Sequence, residues 1–257
     1  MRRWLPPIAI VIALIGLWQL AANLDVIAGA LHIEPFLVPS PSDIAQSLWT
    51  DRSLLVDNGW VTLQEVLAGF ALSVAAGVGF AVVLHLSPML RRAFYPLLVA
   101  SQTVPIVVVA PILVVWLGFG IGPKLAIIAL ICFFPITVNT LDGLRSVDPD
   151  LVKMMRTLDA SRWQTFRRVE GPTALPYFFS GAKIAVAVAV IGAVFGEWAG
   201  SSSGLGHLIQ QASAQLETAR TFAAVVVLSA LAILLFGLLA AIERRVAWWG
   251  PASPRTR

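Results

Sequence analysis

Few residues in this chain could do chemistry, because ionisable side chains are rare within its apolar segments. Glu197 lies near the end of one apolar run and Glu65 near the start of another. A charge inside a bilayer is costly, so each is a functional hypothesis by default. Glu197 could face a translocation path or pair within the protein, whereas Glu65 is expected in the first turns of a helix, where an anion is favoured. Asp142, at the end of the apolar run that covers residues 122–141, could cap its helix or pair with Arg145.

Signatures of catalysis and of metal binding are missing from the sequence. His32, His85 and His207 lie far apart, which gives no metal-ligand spacing. The serines at 201–203 have no G-x-S-x-G context, and no G-x-x-x-x-G-K-[ST] motif occurs. The single cysteine, Cys132, is expected to be a buried thiol. We therefore predict no catalytic residue, no metal site and no cofactor bound by this chain, so active transport would need a partner subunit or an ion gradient.

The composition is that of a membrane protein. Hydrophobic residues make up 58% and charged residues 12% of the 257, the mean hydropathy is +0.84, and soluble domains carry about 25% charged residues. No linker or low-complexity tract marks a boundary, so residues 1–257 are predicted to form one transmembrane domain. The net charge of +4 and pI near 9.8 could suit nucleic acid. The placement of the basic residues gives another explanation.

Six apolar stretches approach or exceed the roughly 20 residues that a helix needs to cross a bilayer, which predicts an all-α membrane protein. Pro105 and Pro111 interrupt the third stretch and Pro135 the fourth, and kinked helices of this kind are compatible with a translocation path. The predicted spans cover residues 5–22, 60–84, 94–118, 122–141, 178–199 and 221–242.

The basic residues predict the orientation, because short cytoplasmic loops carry an excess of lysine and arginine. With both termini in the cytoplasm, fourteen of the 18 basic residues lie inside, including Arg2 and Arg3 and those near the C-terminus. Arg52, Lys124 and Arg220 would then be external, and Lys183 would reach the cytoplasmic interface from within its span. Cleavage of the first span as a signal peptide is disfavoured, because its apolar run exceeds the usual 7–15 residues.

Other patterns predict helix packing and an interfacial helix. Small residues at steps of four favour close helix contacts, within the chain or between two copies. In the external segment 23–59, Ser42 and Asp43 could cap a short helix that ends near Trp49, with Trp49 and Trp60 as interfacial anchors. The small-residue series are Gly181, Ala185, Ala189 and Ala193 in span five and Ala71, Ala75 and Gly79 in span two.

One large basic loop, residues 142–177, separates spans four and five. Asp148 or Asp150 could cap a helix that begins at Pro149. Its apolar residues recur with helical spacing, and a second basic helix over 162–170 is predicted to stop at Gly171-Pro172. The first helix is too short to span a bilayer, so it could dock in a groove of a partner protein or lie on the membrane surface. The apolar residues are Leu151, Met154, Met155 and Leu158.

The loop sequence RTLDASRWQTFRRVEGPTALP resembles the EAA loop of binding-protein-dependent ABC importer permeases. The resemblance extends from about residue 36 to 242 and includes FLVPSPSDI, TVPIVVVAPILVVWLGFGIGPK, FFPITVNTLDGLRSVDPDL and GAVFGEWAGSSSGLG. These stretches are similar to permeases for nitrate, taurine, alkanesulfonates and thiamine-pyrimidine precursors. LVKMMRTLDASRWQTFRRVE and GEWAGSSSGLG are most similar to the hydroxymethylpyrimidine branch.

This resemblance implies the type I ABC importer permease architecture in a bacterial inner membrane. It implies a permease homodimer, an extracytoplasmic solute-binding protein, and a separate ATPase subunit that binds ATP and Mg²⁺. A stand-alone secondary transporter or channel remains the alternative, but the sequence shows neither inverted repeats nor midplane ionisable groups. Glu197, Pro105 and Pro111 are candidates for the translocation path. The loop residues implied in ATPase coupling are Leu151, Met154, Met155, Leu158, Asp159, Ala160, Ser161, Phe166, Pro172 and Pro176.

The loop departs from the family pattern at several positions. Lys153, Met154 and Met155 stand where the resemblance places Glu-Ala-Ala, and Gly171 stands where a leucine usually precedes the proline. Asp159 stands where the motif has a glycine. If that position requires a positive φ, aspartate is one of the few residues that can replace glycine there.

Overall fold

The computed structural model describes residues 5–249, and every regular element within this range is helical. Arg2, Arg3, Arg255 and Arg257, which contributed to the predicted orientation, lie outside the described residues. A 3₁₀ turn covers Pro35–Leu37 and a π-helical turn covers Phe166–Glu170. The α-helices are α1 (Leu5–Asn23), α2 (Val26–Leu31), α3 (Pro41–Thr50), α4 (Arg52–Leu86), α5 (Pro88–Ser101), α6 (Ile106–Leu117), α7 (Ile121–Arg145), α8 (Pro149–Thr157), α9 (Arg162–Thr165), α10 (Gly171–Gly200), α11 (Leu205–Ala214) and α12 (Thr218–Val246).

Four helical stretches in the described range are long and apolar enough to cross a membrane. They are α4, α7, α12 and the continuous stretch Arg162–Gly200. The pair α5 and α6 would make a fifth span if counted together. Helix α1 (Leu5–Asn23) coincides with the first predicted span. The all-helical prediction is confirmed, while the count of six spans stays a prediction.

Span three does not form the single kinked helix that the sequence analysis predicted for residues 94–118. Instead, α5 ends at Ser101, α6 begins at Ile106, and the two are bent by 101°. The break lies at Pro105, which has no N–H and which disfavours helical backbone in the residue before it. Pro111, by contrast, is accommodated inside α6.

The chain divides into two compact units. The first comprises residues up to 61 together with 202–230. Its core lies where α3 and α11 meet the first turns of α4 and α12, and Trp18 of α1 contacts Phe222 at 6.2 Å between ring centroids. The buried core residues are Ile44, Leu55, Leu205, Leu208, Ala223 and Ala224.

Helix α3 of this first unit is the short helix predicted to end near Trp49. Its cap is Ser40, two residues before the predicted Ser42. The Ser40 hydroxyl accepts a bond from the Asp43 N–H, and the Asp43 carboxylate accepts one from the Ser40 N–H, which makes a capping box. The Ser42 N–H instead donates to the Gln19 side chain of α1 at 3.0 Å.

The second unit comprises residues 62–201 and those from 231 onward, and α7 lies at its centre. Ile127, Ile128 and Ile136 of α7 are fully buried. On one side α10 approaches so closely that a Cβ at Gly181 would lie 2.4 Å from the Pro135 carbonyl oxygen. The small-residue series of α10 is buried against this contact, which confirms the predicted packing and places it within the chain.

Helix α4 also contacts α7, through glycines outside the predicted small-residue series. A Cβ at Gly69 would lie 2.6 Å from Ile128, and one at Gly77 would lie 2.9 Å from Ile136. The predicted series Ala71, Ala75 and Gly79 lies on an exposed face of the same helix. It therefore makes no tight helix contact within the described chain.

Candidate functional site

Helix α8 forms where the sequence predicted a short capped helix in the basic loop. Asp148 is the N-cap, and its side chain accepts a 2.9 Å bond from the Asp150 N–H. Pro149 occupies the first helical position, where its missing N–H leaves no hydrogen bond unmade. Lys153 pairs with Asp150 at 2.8 Å, but both side chains are largely exposed, so the pair adds little stability.

The apolar stripe of α8 points away from the rest of the chain. Leu151, Met154 and Leu158 are exposed to 45%, 52% and 68%, whereas Met155 and Val152 are half-buried on the inner side. Trp163, which follows α8, is 66% exposed and stacks on Phe166 with a centroid distance of 5.8 Å. An apolar patch of this kind on a short amphipathic helix marks a surface that binds another molecule.

Asp159 ends α8 in the left-handed conformation, with φ of 52°. The Asp159 N–H donates to the Arg156 carbonyl, and the Ala160 N–H donates to the Met155 carbonyl, both at 3.0 Å. These two bonds make the Schellman motif that usually carries glycine at this position. Position 159 therefore has the positive φ under which aspartate was expected to be able to replace the motif glycine.

The second part of the loop is a helix that does not stop where the sequence predicted. Ser161 and Gln164 form a capping box at the start of α9, and the helix then runs through the π turn and Pro172 to Gly200. Proline normally breaks a helix because it lacks an N–H and its ring crowds the preceding turn. The π turn is wider than an α-helical turn and is closed by the Gly171 N–H, which donates to Phe166 O. It leaves room for the proline ring, so the helix continues through Pro172. The irregular part of the loop is thus confined to residues near 146–148 and 158–161.

Further contacts anchor this segment. Pro172 accepts a bond from the Trp249 indole N–H at 3.1 Å, and Pro176 lies within α10, where its carbonyl accepts a bond from Ser180. Ser146 caps α7, and Asp142 forms no ion pair with Arg145 among the described residues.

The loop is also linked to the end of α4. His85 Nε2 lies 3.2 Å from the Glu170 carboxylate of the π turn. Behind α8 a small polar cavity of about 180 Å³ is lined by residues from α4, α8, α9 and the π turn, including Arg156 and Arg162. A displacement of α8 would therefore bear on α4 and α10 through packed and hydrogen-bonded groups.

A buried charge cluster joins α4, α7 and α10 at the end where α7 begins and α10 ends. Lys124 Nζ lies 2.5 Å from Glu65 Oε1, and these residues are only 7% and 3% exposed. One turn earlier on α4, the Thr62 hydroxyl donates to Glu197 Oε1 at 2.7 Å, and both residues are fully buried. Gly196 lets the backbone of α7 approach at Lys124. The cluster thus ties three helices together.

The cluster corrects one sequence-based assignment and resolves another. Lys124, which the basic-residue pattern places on the external side of the membrane, is buried against Glu65. Glu65 was expected in the first turns of its helix, but α4 begins thirteen residues earlier, at Arg52. Glu197 pairs within the protein, the second of the two alternatives left open. The available signal was that all three residues lie at matching depths of their apolar runs. Lys183, expected to reach the interface, pairs with Glu243 at 2.7 Å.

The three candidates for a translocation path do not share one site. Pro105 lines a cavity of about 660 Å³ at the break between α5 and α6. Glu197 and Pro111 are not among the residues that line it. Of the three candidates, Pro105 is therefore the one that borders this cavity.

Comparison with known proteins identifies what the chain is similar to. Residues 69–248 match the family model of the binding-protein-dependent transport system inner membrane component. The chain is 37% identical to the formylaminopyrimidine transport permease ThiX of Halalkalibacterium halodurans, over 95% of this chain and 96% of that protein. It is 34% identical to the riboflavin transport permease RibX of Chloroflexus aurantiacus, over 95% and 89%. It is 27% identical to the putative aliphatic sulfonates permease SsuC of Bacillus subtilis, over 96% and 88%.

The fold is also similar to a solved structure. The inward-facing methionine ABC transporter MetNI superposes with a TM-score of 0.66 at 21% identity. The match covers 76% of this chain and 97% of that chain. At this identity the likeness concerns the fold alone.

Proposed function

The chain belongs to the family of binding-protein-dependent transport system inner membrane components, and from this membership we propose that it is the membrane-spanning permease subunit of an ATP-driven importer. The single observation that carries the proposal is the exposed apolar stripe of α8, presented by a helix capped at both ends. The ATP site would lie on a separate ATPase subunit, with Mg²⁺, because the sequence holds no P-loop.

The stripe fits a groove on a folded partner better than a lipid surface. Leu151, Met154 and Leu158 form a narrow band with the i, i+3, i+7 spacing that helix-in-groove recognition uses. Outside the band, α8 carries both signs of charge, because Asp150 pairs with Lys153 and Arg156 adds a second basic residue. A helix held at an anionic membrane surface is instead rich in unpaired basic residues. The proposed occupant of the stripe is therefore the ATPase subunit.

Alternating access requires that movement of α8 reach the membrane spans, and the contacts of the loop supply that connection. Residues behind α8 share a cavity with His85 of α4 and Glu170 of the π turn. The π turn continues directly into α10, which packs closely along α7. ATP-driven closure of the ATPase subunits would thus move α4 and α10 together with the loop.

The remaining features of the importer follow from the same proposal. The chain lies in a bacterial cytoplasmic membrane with both termini inside, so that α8 meets the ATPase. Two copies form the translocation path, and the exposed series Ala71, Ala75 and Gly79 offers a close-packing face for a second copy. An extracytoplasmic binding protein delivers a small polar organic solute. The relatives named for formylaminopyrimidine, riboflavin and sulfonates delimit that solute class.

Purification of the tagged chain together with its ATPase tests the proposal. Leu151→Ala combined with Met154→Ala removes the centre of the stripe while keeping helix propensity, so ATPase recovery should fall to background. Lys153→Ala, on the opposite face of α8, is the matched control and should recover the ATPase fully. Solute uptake that continues in cells lacking every ATPase subunit would instead support the stand-alone transporter.

A further inference from the structure

The bend between α5 and α6 creates a cavity of about 660 Å³ that the coupling loop does not explain. It is lined by residues of α4, α5, α6 and α7, and its volume lies within the roughly 300–1,000 Å³ of small-molecule sites. Pro105, which breaks the span, is part of its wall. The helix break at Pro105 that divides the span in two therefore also creates the cavity.

Three aromatic rings that contact one another through Phe80 line the cavity. Phe80 of α4 contacts Phe94 of α5 edge-on, with centroids 5.7 Å apart and planes at 87°. Phe80 also contacts Phe133 of α7 at 5.6 Å. All three rings line the cavity. Rings inclined at 87° and 42° to one another present both faces and edges, which suits contact with another flat ring.

Polar groups are confined to the helix break. Ser101 and Gln102 are the polar side chains among the lining residues. The Ser101 hydroxyl donates to the Leu98 carbonyl at 2.7 Å, so its oxygen remains an acceptor, while the exposed Gln102 amide can both donate and accept. The first N–H groups of α6 also begin here and have no acceptor within the helix. A bound ring with amino or carbonyl substituents would find partners at this end.

Ionisable side chains are missing from the lining of this cavity in the described structure. An anion such as a sulfonate would leave water here without a counter-charge, which is strongly unfavourable. The charged residues of the buried cluster cannot serve, since Lys124 is already paired with Glu65. The cavity therefore selects against charge and in favour of an uncharged ring.

We propose that this cavity is a binding site for an uncharged planar heteroaromatic solute, which packs against the faces and edges of the three phenylalanine rings and bonds to Gln102. The inference rests on the proposed import function, and it narrows the solute class to one that includes aminopyrimidines. Two relatives are named for the transport of solutes with planar heteroaromatic rings, formylaminopyrimidine and riboflavin.

Equilibrium binding to the complete importer in lipid nanodiscs, purified through a tag on its ATPase, tests the inference. The probes are radiolabelled hydroxymethylpyrimidine and taurine, without binding protein. Hydroxymethylpyrimidine should bind saturably and taurine should not. Phe133→Leu should weaken binding about tenfold, the upper range for an aromatic pair. Gln102→Ala should weaken it about fivefold. Phe134→Leu, next in sequence but outside the lining, is the matched control and should bind as the parent does.

Several results would overturn the inference. One is no saturable binding of hydroxymethylpyrimidine, and another is unchanged binding by the Phe133→Leu importer. A third is a co-purified phospholipid, detected by mass spectrometry, that hydroxymethylpyrimidine does not displace. A fourth is unchanged binding after a disulfide between Leu97→Cys residues has joined two copies of the chain. The second copy would then fill the cavity, so the solute would have to bind elsewhere. In each case continued ATP-driven uptake would leave the import function standing, whereas loss of the ATPase from the preparation would count against that function.

Discussion

The buried charge cluster and the stripe of α8 place polar and apolar groups in opposite ways. In the cluster, Glu65, Lys124 and Glu197 lie inside an apolar bundle and are almost inaccessible. On α8, Leu151, Met154 and Leu158 lie outside, on a polar loop. The cluster carries partners for its charges within the chain, namely Lys124 for Glu65 and Thr62 for Glu197. The stripe lacks a partner among the described residues, so its energetic value appears only when another molecule binds.

This difference predicts that the two regions respond to mutation in different measurements. Disruption of the cluster should lower the stability of the chain, because it leaves charge in a medium that cannot solvate it. Disruption of the stripe should leave stability unchanged and lower affinity for a partner. Measurements on four variants can contradict or support this division between stability and binding.

The largest effect is expected for Lys124→Met. Glu65 would then keep a buried carboxylate without its cation, and removal of one partner of a buried pair costs about 3–5 kcal/mol. The free energy of unfolding, measured by denaturant titration in mixed micelles, should fall by that amount. The double variant Lys124→Met, Glu65→Met should recover most of the loss. Equal losses in both variants would show that shape, and not charge, governs this region.

A smaller effect, on binding alone, is expected for Leu158→Ala. This side chain is 68% exposed, so its truncation should not change unfolding. As part of a proposed interface core it should weaken ATPase binding by about 1–2 kcal/mol, the lower range for interface residues. Titration of the ATPase against chain in nanodiscs measures the change. A loss of stability without a loss of affinity would show that Leu158 stabilises the chain, as the buried cluster does, and does not bind the ATPase.

An effect of about 1 kcal/mol is expected for Asp159→Gly, because a left-handed conformation costs a non-glycine residue that much or more. The glycine variant should stabilise the end of α8, and hydrogen exchange of the backbone amides at positions 159 and 160 should slow. Asp159→Ala should have the opposite effect, and transport by the glycine variant should be retained or improved. If that variant instead uncouples ATP hydrolysis from uptake, the carboxylate makes a contact with the ATPase.

The smallest effect concerns the partly exposed ion pair between Arg220 and Asp51. Arg220 donates two 3.1 Å bonds to the Asp51 carboxylate, and these hold the pKa of Asp51 below its ordinary value of 3.8. The contribution of Asp51 to stability is therefore present above about pH 4 and is lost as the pH falls through the lowered pKa. The stability difference between the parent and Asp51→Asn should be constant near neutrality and shrink in acid. The Lys124→Met difference should outweigh it at neutral pH.

The loop helix was predictable because its signals are local. Asp148, Pro149 and the spacing of Leu151, Met154 and Leu158 fix α8 within a few residues, and the condition on Asp159 follows from backbone sterics. The small-residue series of α10 was predictable for the same reason. Close packing needs residues without bulk at a fixed spacing, and that spacing is visible in the sequence.

The cluster was not predictable, because its partners lie far apart in the sequence. Glu65 and Lys124 are separated by 59 residues, and Thr62 and Glu197 by 135. The rule for orientation assigns a lysine to one side of the membrane from its place in the sequence and does not consider which residues face it across the bundle. Pro172 shows a second limit. A proline predicts a helix end, yet a π turn upstream allows the helix to continue.

The π turn has a mechanical consequence, because it makes residues 162–200 one continuous helix of 39 residues. At 1.5 Å per residue this helix is roughly 58 Å long. One end belongs to the loop beside α8, and Glu197 lies three residues from the other. This helix is held tightly to α7 at Gly181, Gly192 and Gly196. A push at the loop end is therefore carried to α7 and to the Glu197 end together, so force applied to the loop need not be relayed residue by residue.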